Sequence, residues 1–191
     1  MRSAKDSGSR YDADVTRAIG WNTFETAIGA CGIAWSDAAI VGAQLPEASA
    51  EATRSRMQKR FDAALENATP APHVQRAIDA IVALLRGEDR DLAEISLEMD
   101  DVGEFDRRVY AIARTIRRGA TMTYGEIAKQ LGDRTLARAV GQSLGRNPFA
   151  PIVPCHRVLA ANGAMGGFSA RGGVAAKERM LSIEGAMLAL T

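Results

Sequence analysis

Short apolar runs rich in β-forming residues fill the chain from about Ala18 to Leu45. Trp21–Thr26, Cys31–Trp35 and Ala39–Leu45 are separated by Gly29, Gly32 and Ser36-Asp37. This punctuation predicts a small antiparallel meander, closed by Pro46. Ala50–Leu65 then sets Met57, Phe61, Ala64 and Leu65 at helical spacing among good helix formers, which predicts a first helix. A second follows Pro70 and Pro72, with Val74, Ile78, Ile81, Val82 and Leu85 as its apolar stripe and Gly87 as its stop. Leu92–Met99 alternates loosely and predicts one more strand.

The second half has a different texture. Gly103–Arg118 puts Phe105, Val109, Ile112, Ala113 and Ile116 on one face, with Arg107, Arg108, Arg114, Arg117 and Arg118 around the rest. That is a core-packing helix with a basic exterior. Thr123 and Glu126 then form a capping box that opens a short helix ending at Gly132. Asp133 or Thr135 can cap the next helix, which runs to Leu144. Two short helices around a glycine-containing turn have the outline of a helix-turn-helix. In the second of them Ala137, Ala139 and Gly141 surround Arg138 with little bulk, so one long cationic side chain projects from a helix able to approach a surface closely. A glycine-rich loop over Asn162–Gly173 and a helix over Val174–Leu181 follow; Glu184, just past its end, reads as a surface residue.

The pattern predicts an α/β (α+β) protein: a small N-terminal antiparallel sheet with helices, followed by a mostly helical, winged-helix-like domain built on the helix-turn-helix. The expected divisions are a mobile tail over 1–16, a scaffold domain without chemistry over 17–101 and a functional domain over 102–191.

Charge changes this picture through its distribution. The net formal charge is only +1, yet Gly87–Asp106 holds nine acidic residues and one Arg, and Arg107–Asn147 holds nine basic residues and two acidic ones. An acidic stretch followed directly by a basic one points to a polyanionic partner for the basic part. The polar N-terminus has no signal-like apolar core, and no stretch approaches the ~18 apolar residues of a membrane span. Two cysteines in unlike contexts, Cys31 and Cys155, suggest a reduced protein, so a soluble cytoplasmic monomer is expected. Cys31, Cys155, His73 and His156 lack metal-ligand spacing, and no metal is expected.

The candidate chemistry lies in Pro151-Ile152-Val153-Pro154-Cys155-His156-Arg157-Val158. A cysteine joined to one of only two histidines supplies a nucleophile and a proton acceptor. Two prolines argue for a rigid exposed turn or strand end, and His156 and Arg157 are expected to lower the thiol pKa. On an extended chain adjacent side chains diverge, so a water or a turn must link Cys155 to His156, and a distant carboxylate must orient the imidazole. Three classes remain open: a group-transfer enzyme acting on DNA, a DNA-binding protein without chemistry, and a Cys-His hydrolase. The last leaves the basic helices unexplained and has no evident oxyanion-hole motif.

Tyr124-Gly125-Glu126-Ile127-Ala128, Arg138-Ala139-Val140-Gly141, Asn147-Pro148, Pro154-Cys155-His156-Arg157-Val158 and Lys177 to Glu184-Gly185 follow one another in register over about Val102–Ala186. Together they resemble the O6-alkylguanine-DNA alkyltransferases. The resemblance implies irreversible, stoichiometric transfer of an alkyl group from O6-alkylguanine, with O4-alkylthymine as a further candidate, to Cys155 without a cofactor. It implies minor-groove binding of double-stranded DNA and extrusion of the damaged nucleotide, a step general to chemistry on a stacked base. By position, Arg138 fills the vacated space, Tyr124 assists rotation of the nucleotide and bonds the leaving guanine, and Ala137, Ala139 and Thr135 lie at the DNA. Asn147 braces the turns, and His156, oriented by Glu184, accepts the thiol proton through water. The carbonyls of Cys155 and Val158 read the guanine amino group, and Ser169 approaches O6. The chain departs from the family pattern in Phe168, where Tyr is common, and in a Ser169–Gly173 loop longer than the Ser/Ala-Gly-Gly form.

Overall fold

The computed structural model describes residues 18–186, so the tail expected over 1–16 lies outside the described residues. The meander forms as the pattern predicts. Strands β1 (Gly20–Thr26), β2 (Gly29–Trp35) and β3 (Ile40–Gln44) pair antiparallel in sequence order. A short strand β4 (Leu65–Glu66) adds to β1 in parallel, giving the order β3-β2-β1-β4. Helix α1 (Ala50–Arg60) lies on this sheet, capped by the Ser49 side chain on the Ala52 amide. It lies so close that a Cβ at Gly42 would come 2.5 Å from the Phe61 ring. Trp21, Ala34, Val41, Met57 and Phe61 form the core between them. Leu65, expected on the α1 stripe, instead belongs to β4 and is exposed, because the helix ends at Arg60 and the chain turns back to the sheet.

Helix α2 (Pro72–Leu85) covers the other side of the sheet with the predicted stripe and breaks before Gly87. The strand expected over Leu92–Met99 does not form. Only an isolated bridge between Leu97 and Ile40 exists there, with Ile40 and Glu98 amides bonding across it. Arg114 accounts for part of this: its guanidinium takes up the carbonyls of Leu92, Ala93 and Ile95, which a strand would have offered to a neighbour. Arg118 similarly caps the carbonyls of Gly87 and Ile183. These two arginines, expected on a basic exterior, are inward structural cations.

Helices α3 (Glu104–Ala113), α4 (Tyr124–Gln130) and α5 (Ala137–Gly145) pack around Val109, Tyr110, Ile127, Val140 and Leu144. The capping box at Thr123 and Glu126 is present in both directions. Gly132, at φ +101°, makes the turn to a short 3-10 segment, Arg134–Leu136, capped by Asp133. Thr135 gives its amide and hydroxyl to that carboxylate and so caps nothing itself. A two-stranded parallel pair, β5 (Met122–Thr123) with β6 (Val158–Leu159), joins the start of the helix-turn-helix to the Cys155 region. Helix α6 (Gly173–Glu184) completes the fold, and its Met180 joins Ile152 in the core beneath the N-terminal sheet. The two halves also meet at Pro148, whose carbonyl accepts from the Ala43 amide at 2.9 Å and from Arg60 at 2.8 Å. No helix among the described residues is long and apolar enough to cross a membrane.

Candidate active site

Cys155 starts a 3-10 turn, Cys155–Arg157, and is 7 % exposed. The exposed turn or strand end expected from the prolines is therefore corrected: every residue from Pro151 to Leu159 is buried. The prolines stiffen the run, but Ile152, Val153, Val158 and Leu159 draw it into the core, and apolar burial outweighs the cost of a segment with few amide donors. Asn147 replaces part of the missing bonding. Its Nδ2 donates to the Val153 carbonyl at 2.8 Å, its Oδ1 accepts from the Phe149 amide at 2.9 Å, and its side chain hydrogen-bonds the Cys155 thiol. Asn147 thus ties the end of α5 to the turn that carries the sulfur.

Burial pushes the Cys155 thiol pKa up. The Asn147 hydrogen bond, the positive charge of Lys177 and the amides of Cys155 and His156 pull it down without overcoming burial. The expected lowering is corrected on this ground, and Arg157 explains why. Its guanidinium does not serve the sulfur; it is bound to Glu184 through Nε to Oε2 at 2.7 Å and Nη2 to Oε1 at 3.0 Å, and to the Ile116 carbonyl. A bidentate pair of this kind spends the cation on its carboxylate.

Glu184 is only 2 % exposed, in the last turn of α6, so its reading as a surface residue is also corrected. Burial alone would raise its pKa, but the hydrogen bond from His156 and the hydrogen bonds and charge of Arg157 prevail and hold it near 2. His156, 0 % exposed, meets Glu184 through Nε2 at 2.9 Å from Oε1. Burial lowers the pKa of His156 more than Glu184 raises it, and the charges of Arg157 and Lys177 lower it further. The imidazole is therefore neutral, and because an ionised carboxylate only accepts, its proton sits on Nε2. Nδ1 is left as a bare acceptor, and it has no protein partner. The turn and the carboxylate that the residue order required are both present.

Lys177 is the site residue that the sequence reading did not assign a role. Its ammonium is wholly buried, donates to the carbonyls of Val158 at 2.6 Å and Met165 at 2.5 Å, and lies 5.8 Å from the centre of the Tyr124 ring. Burial lowers its pKa to about 8, opposed by the charge of Cys155. A signal existed: Lys177 shares the buried stripe of α6 with Met180, Leu181 and Glu184, and a lysine in such a stripe needs a partner.

Tyr124, the first residue of α4, is half-buried beside β6, and its hydroxyl donates to the Gly167 carbonyl at 3.4 Å. Burial raises its pKa, with the charge of Cys155 adding to it. Arg138 is exposed on α5, with Ala137 and Ala139 half-buried on either side. An open cavity of about 570 Å³ is lined by Tyr124, Ala137, Arg138, Cys155, Phe168 and Ser169. The sulfur residue is therefore reachable from the surface that carries Arg138. Of the predicted residues, Ala139, Thr135, Asn147, His156, Val158 and Glu184 do not line this cavity. Thr135 is exposed and Ala139 half-buried, His156, Val158 and Glu184 are buried, and Asn147 lines an adjoining cavity that also includes Cys155. Among the described residues no group of three or more His, Cys, Asp or Glu side chains is arranged to hold a metal ion.

The family model described as the DNA-binding domain of 6-O-methylguanine DNA methyltransferase matches residues 104–186. A methylated-DNA–protein-cysteine methyltransferase of Mycobacterium tuberculosis is 35 % identical over 168 residues, 87 % of this chain and 92 % of that one. A protein of the same name from Mycolicibacterium paratuberculosis is 44 % identical over 109 residues, 56 % of this chain and 63 % of that one. Among solved structures, M. tuberculosis O6-methylguanine methyltransferase superposes with a TM-score of 0.69 at 31 % identity, covering 87 % of this chain and 93 % of that one. M. tuberculosis OGT in complex with DNA gives 0.69 at 32 %, covering 90 % and 99 %. With a relative of that identity matched over nearly its whole length, the chain belongs to the methylated-DNA–protein-cysteine methyltransferase family.

Proposed function

We propose that this chain repairs O6-alkylguanine in double-stranded DNA by moving the alkyl group irreversibly onto Cys155. The observation that carries the reading is the cavity that leads from Arg138 on α5 to Cys155, backed by the His156–Glu184 pair. Helix α5 enters the minor groove, where Ala137 and Ala139 allow close approach and Thr135 faces the backbone. Arg138 fills the gap left by the extruded nucleotide, and Tyr124, at the cavity wall, steers its rotation.

In the pocket the Cys155 sulfur attacks the alkyl carbon. The S–C bond forms as the C–O6 bond breaks, the bonding pair stays on O6, and the thiol proton, accepted at His156 Nδ1 through solvent, ends on the guanine. Glu184 holds the imidazole in the required tautomer, and Tyr124 hydrogen-bonds the leaving base. The Val158 carbonyl already accepts from Lys177, but a carbonyl oxygen has two lone pairs, so it can still join the Cys155 carbonyl in binding the guanine amino group. Ser169 approaches O6. A thioether resists hydrolysis, so each chain acts once. The reading includes a cytoplasmic monomer that uses no cofactor, with 17–101 as scaffold and 102–191 as the DNA-binding and acceptor part.

Duplex DNA carrying labelled O6-methylguanine tests it. At most one label per chain appears, on Cys155, with a mass gain of one methyl group, while Cys155→Ala binds the DNA and takes none. Sustained multiple turnover, or label on another residue, overturns the proposal.

A further inference from the structure

Asn147, which ties the end of α5 to the turn carrying the sulfur, is itself flanked by two anchored residues. The residue before it, Arg146, donates to the Asp106 carboxylate of α3 at 3.1 Å. The residue after it, Pro148, is held from the N-terminal half by Arg60 at the end of α1, 88 positions away in the chain. Arg60 Nη2 donates to the Pro148 carbonyl at 2.8 Å and Nη1 to the Ala43 carbonyl of β3 at 3.1 Å. The Ala43 amide donates to the same Pro148 carbonyl at 2.9 Å. One guanidinium thus closes a ring across the junction of the two halves, beside the bridge between Ala43 and Phe149.

Resting on the proposed alkyl transfer, we infer that Arg60 is a positioning residue for it: through the Pro148 carbonyl it fixes Asn147, and through Asn147 the Cys155 sulfur. Pro148 has no amide donor, so its carbonyl is the only backbone hydrogen-bonding group by which it can be fixed. A bond donated to that carbonyl by a cation is stronger than one from a neutral amide. It ends one residue from Asn147, whose side chain spans from the Phe149 amide to the Val153 carbonyl and hydrogen-bonds the thiol. Strand β3 is built to let the guanidinium through, since a Cβ at Gly42 would come 2.8 Å from Arg60 Nη2. The N-terminal half, read from sequence as a scaffold without chemistry, thereby sets the place of the side chain that holds the nucleophile.

Reacting atoms misplaced by about 1 Å can lose on the order of a hundredfold in rate. Loss of the Arg60 cation leaves the Ala43 amide on Pro148 and the Asp106 carboxylate on Arg146, so a loss of about tenfold is expected. It should fall on the transfer step, because the face of α5 that carries Arg138 is not touched.

Single-turnover methyl transfer from duplex DNA carrying O6-methylguanine, followed against concentration of the full-length chain, separates the saturating rate from the half-saturation concentration. Arg60→Met and Arg60→Gln remove the cation, and Arg60→Lys keeps one. Thermal unfolding shows which variants are folded at the assay temperature, and one folded neutral variant suffices. Such a variant should lose about tenfold in saturating rate with half-saturation within about twofold of the natural chain, and Arg60→Lys should lose only about threefold. A folded neutral variant with the natural saturating rate makes Arg60 a mere tether between the halves and overturns the inference. A loss confined to half-saturation, or an Arg60→Lys no faster than the neutral variants, overturns it as well. If neither neutral variant folds, Arg60→Lys decides: a saturating rate about threefold low at unchanged half-saturation supports the inference, and the natural rate overturns it. If the natural chain transfers no methyl group, the proposed function itself fails.

Discussion

Replacing Glu184 with Gln tests the buried relay by the removal of one charge with almost no change of shape. Its carboxylate makes three bonds, to His156 at 2.9 Å and to Arg157 at 2.7 and 3.0 Å. The variant leaves Arg157 as a cation 3 % exposed with no counter-charge among these groups. Breaking a buried pair from one side costs about 3–5 kcal/mol. In a domain of this size that lowers Tm by roughly 6–20 °C.

A second signature follows from linkage. The Glu184 pKa falls from 4.5 to about 2 on folding, a difference that stabilises the protein by roughly 3 kcal/mol when the carboxylate is ionised. The folded pKa lies below the unfolded one, so this stability is present above pH ~4.5 and is lost as pH falls toward ~2. About 2 kcal/mol of it is gone by pH ~3. Urea unfolding of both proteins at neutral pH and near pH 3 measures the two effects. The gap between them should be several kcal/mol at neutral pH and should narrow by about 2 kcal/mol near pH 3. A variant within about 1 kcal/mol of the natural protein at neutral pH, or a gap that does not narrow, refutes the claim that Glu184 is held ionised by its buried partners.

Three other perturbations separate the parts of the site. Arg138→Ala removes an exposed side chain, so Tm stays unchanged while single-turnover methyl transfer from duplex DNA falls about tenfold or more; an unchanged rate contradicts the role of Arg138 in extrusion. Lys177→Met removes the cation that opposes the rise of the Cys155 pKa, so transfer at neutral pH should fall about tenfold. The Lys177 pKa is depressed from 10.5 to about 8, so the unfolded chain binds more protons between those values and the natural protein gains stability as pH rises through that window; the variant should lack this gain, and equal pH slopes in urea unfolding would exclude it. Asn147→Ala cuts the Val153 and Phe149 bonds and should cost about 1–3 kcal/mol in urea unfolding together with a slower transfer; loss of stability at full transfer rate would make Asn147 purely structural.

What the sequence discloses is what local rules decide. The Thr123–Glu126 capping box, the stripe of α2 and the turns of the meander each depend on residues within one or two turns of one another, and each forms as read. Local rules fail where a distant partner changes a side chain's role. Arg114 and Arg118 read as exterior because nothing in α3 shows that carbonyls about twenty residues upstream await Arg114, or that Gly87 and Ile183 await Arg118. Leu92–Met99 has the alternation of a strand, but the distant Arg114 takes three of its carbonyls, and the segment contributes one bridge. Glu184 looked exposed because its two partners lie 27 and 28 positions away. The motif residues were legible as a set; the charge balance among them was not, since it is fixed by which cation faces which anion after folding.

On the proposed transfer to Cys155, that balance explains how a nucleophile can be kept where burial opposes its ionisation. A thiol with a raised pKa is a poor nucleophile at rest, because the thiolate is the reactive form. Had Arg157 faced the sulfur, it would have favoured the thiolate at rest, and Glu184 would have lost its bidentate cationic partner. Placing Arg157 on Glu184 instead keeps the carboxylate ionised while His156 stays neutral, which sends the imidazole proton to Nε2 and leaves Nδ1 free to accept another. The remaining cation near the sulfur, Lys177, is held by two neutral carbonyls that leave its charge uncancelled. The site therefore separates two tasks that a single adjacent arginine would have merged: one cation fixes the direction in which a proton can leave, and the other favours the thiolate once it has left.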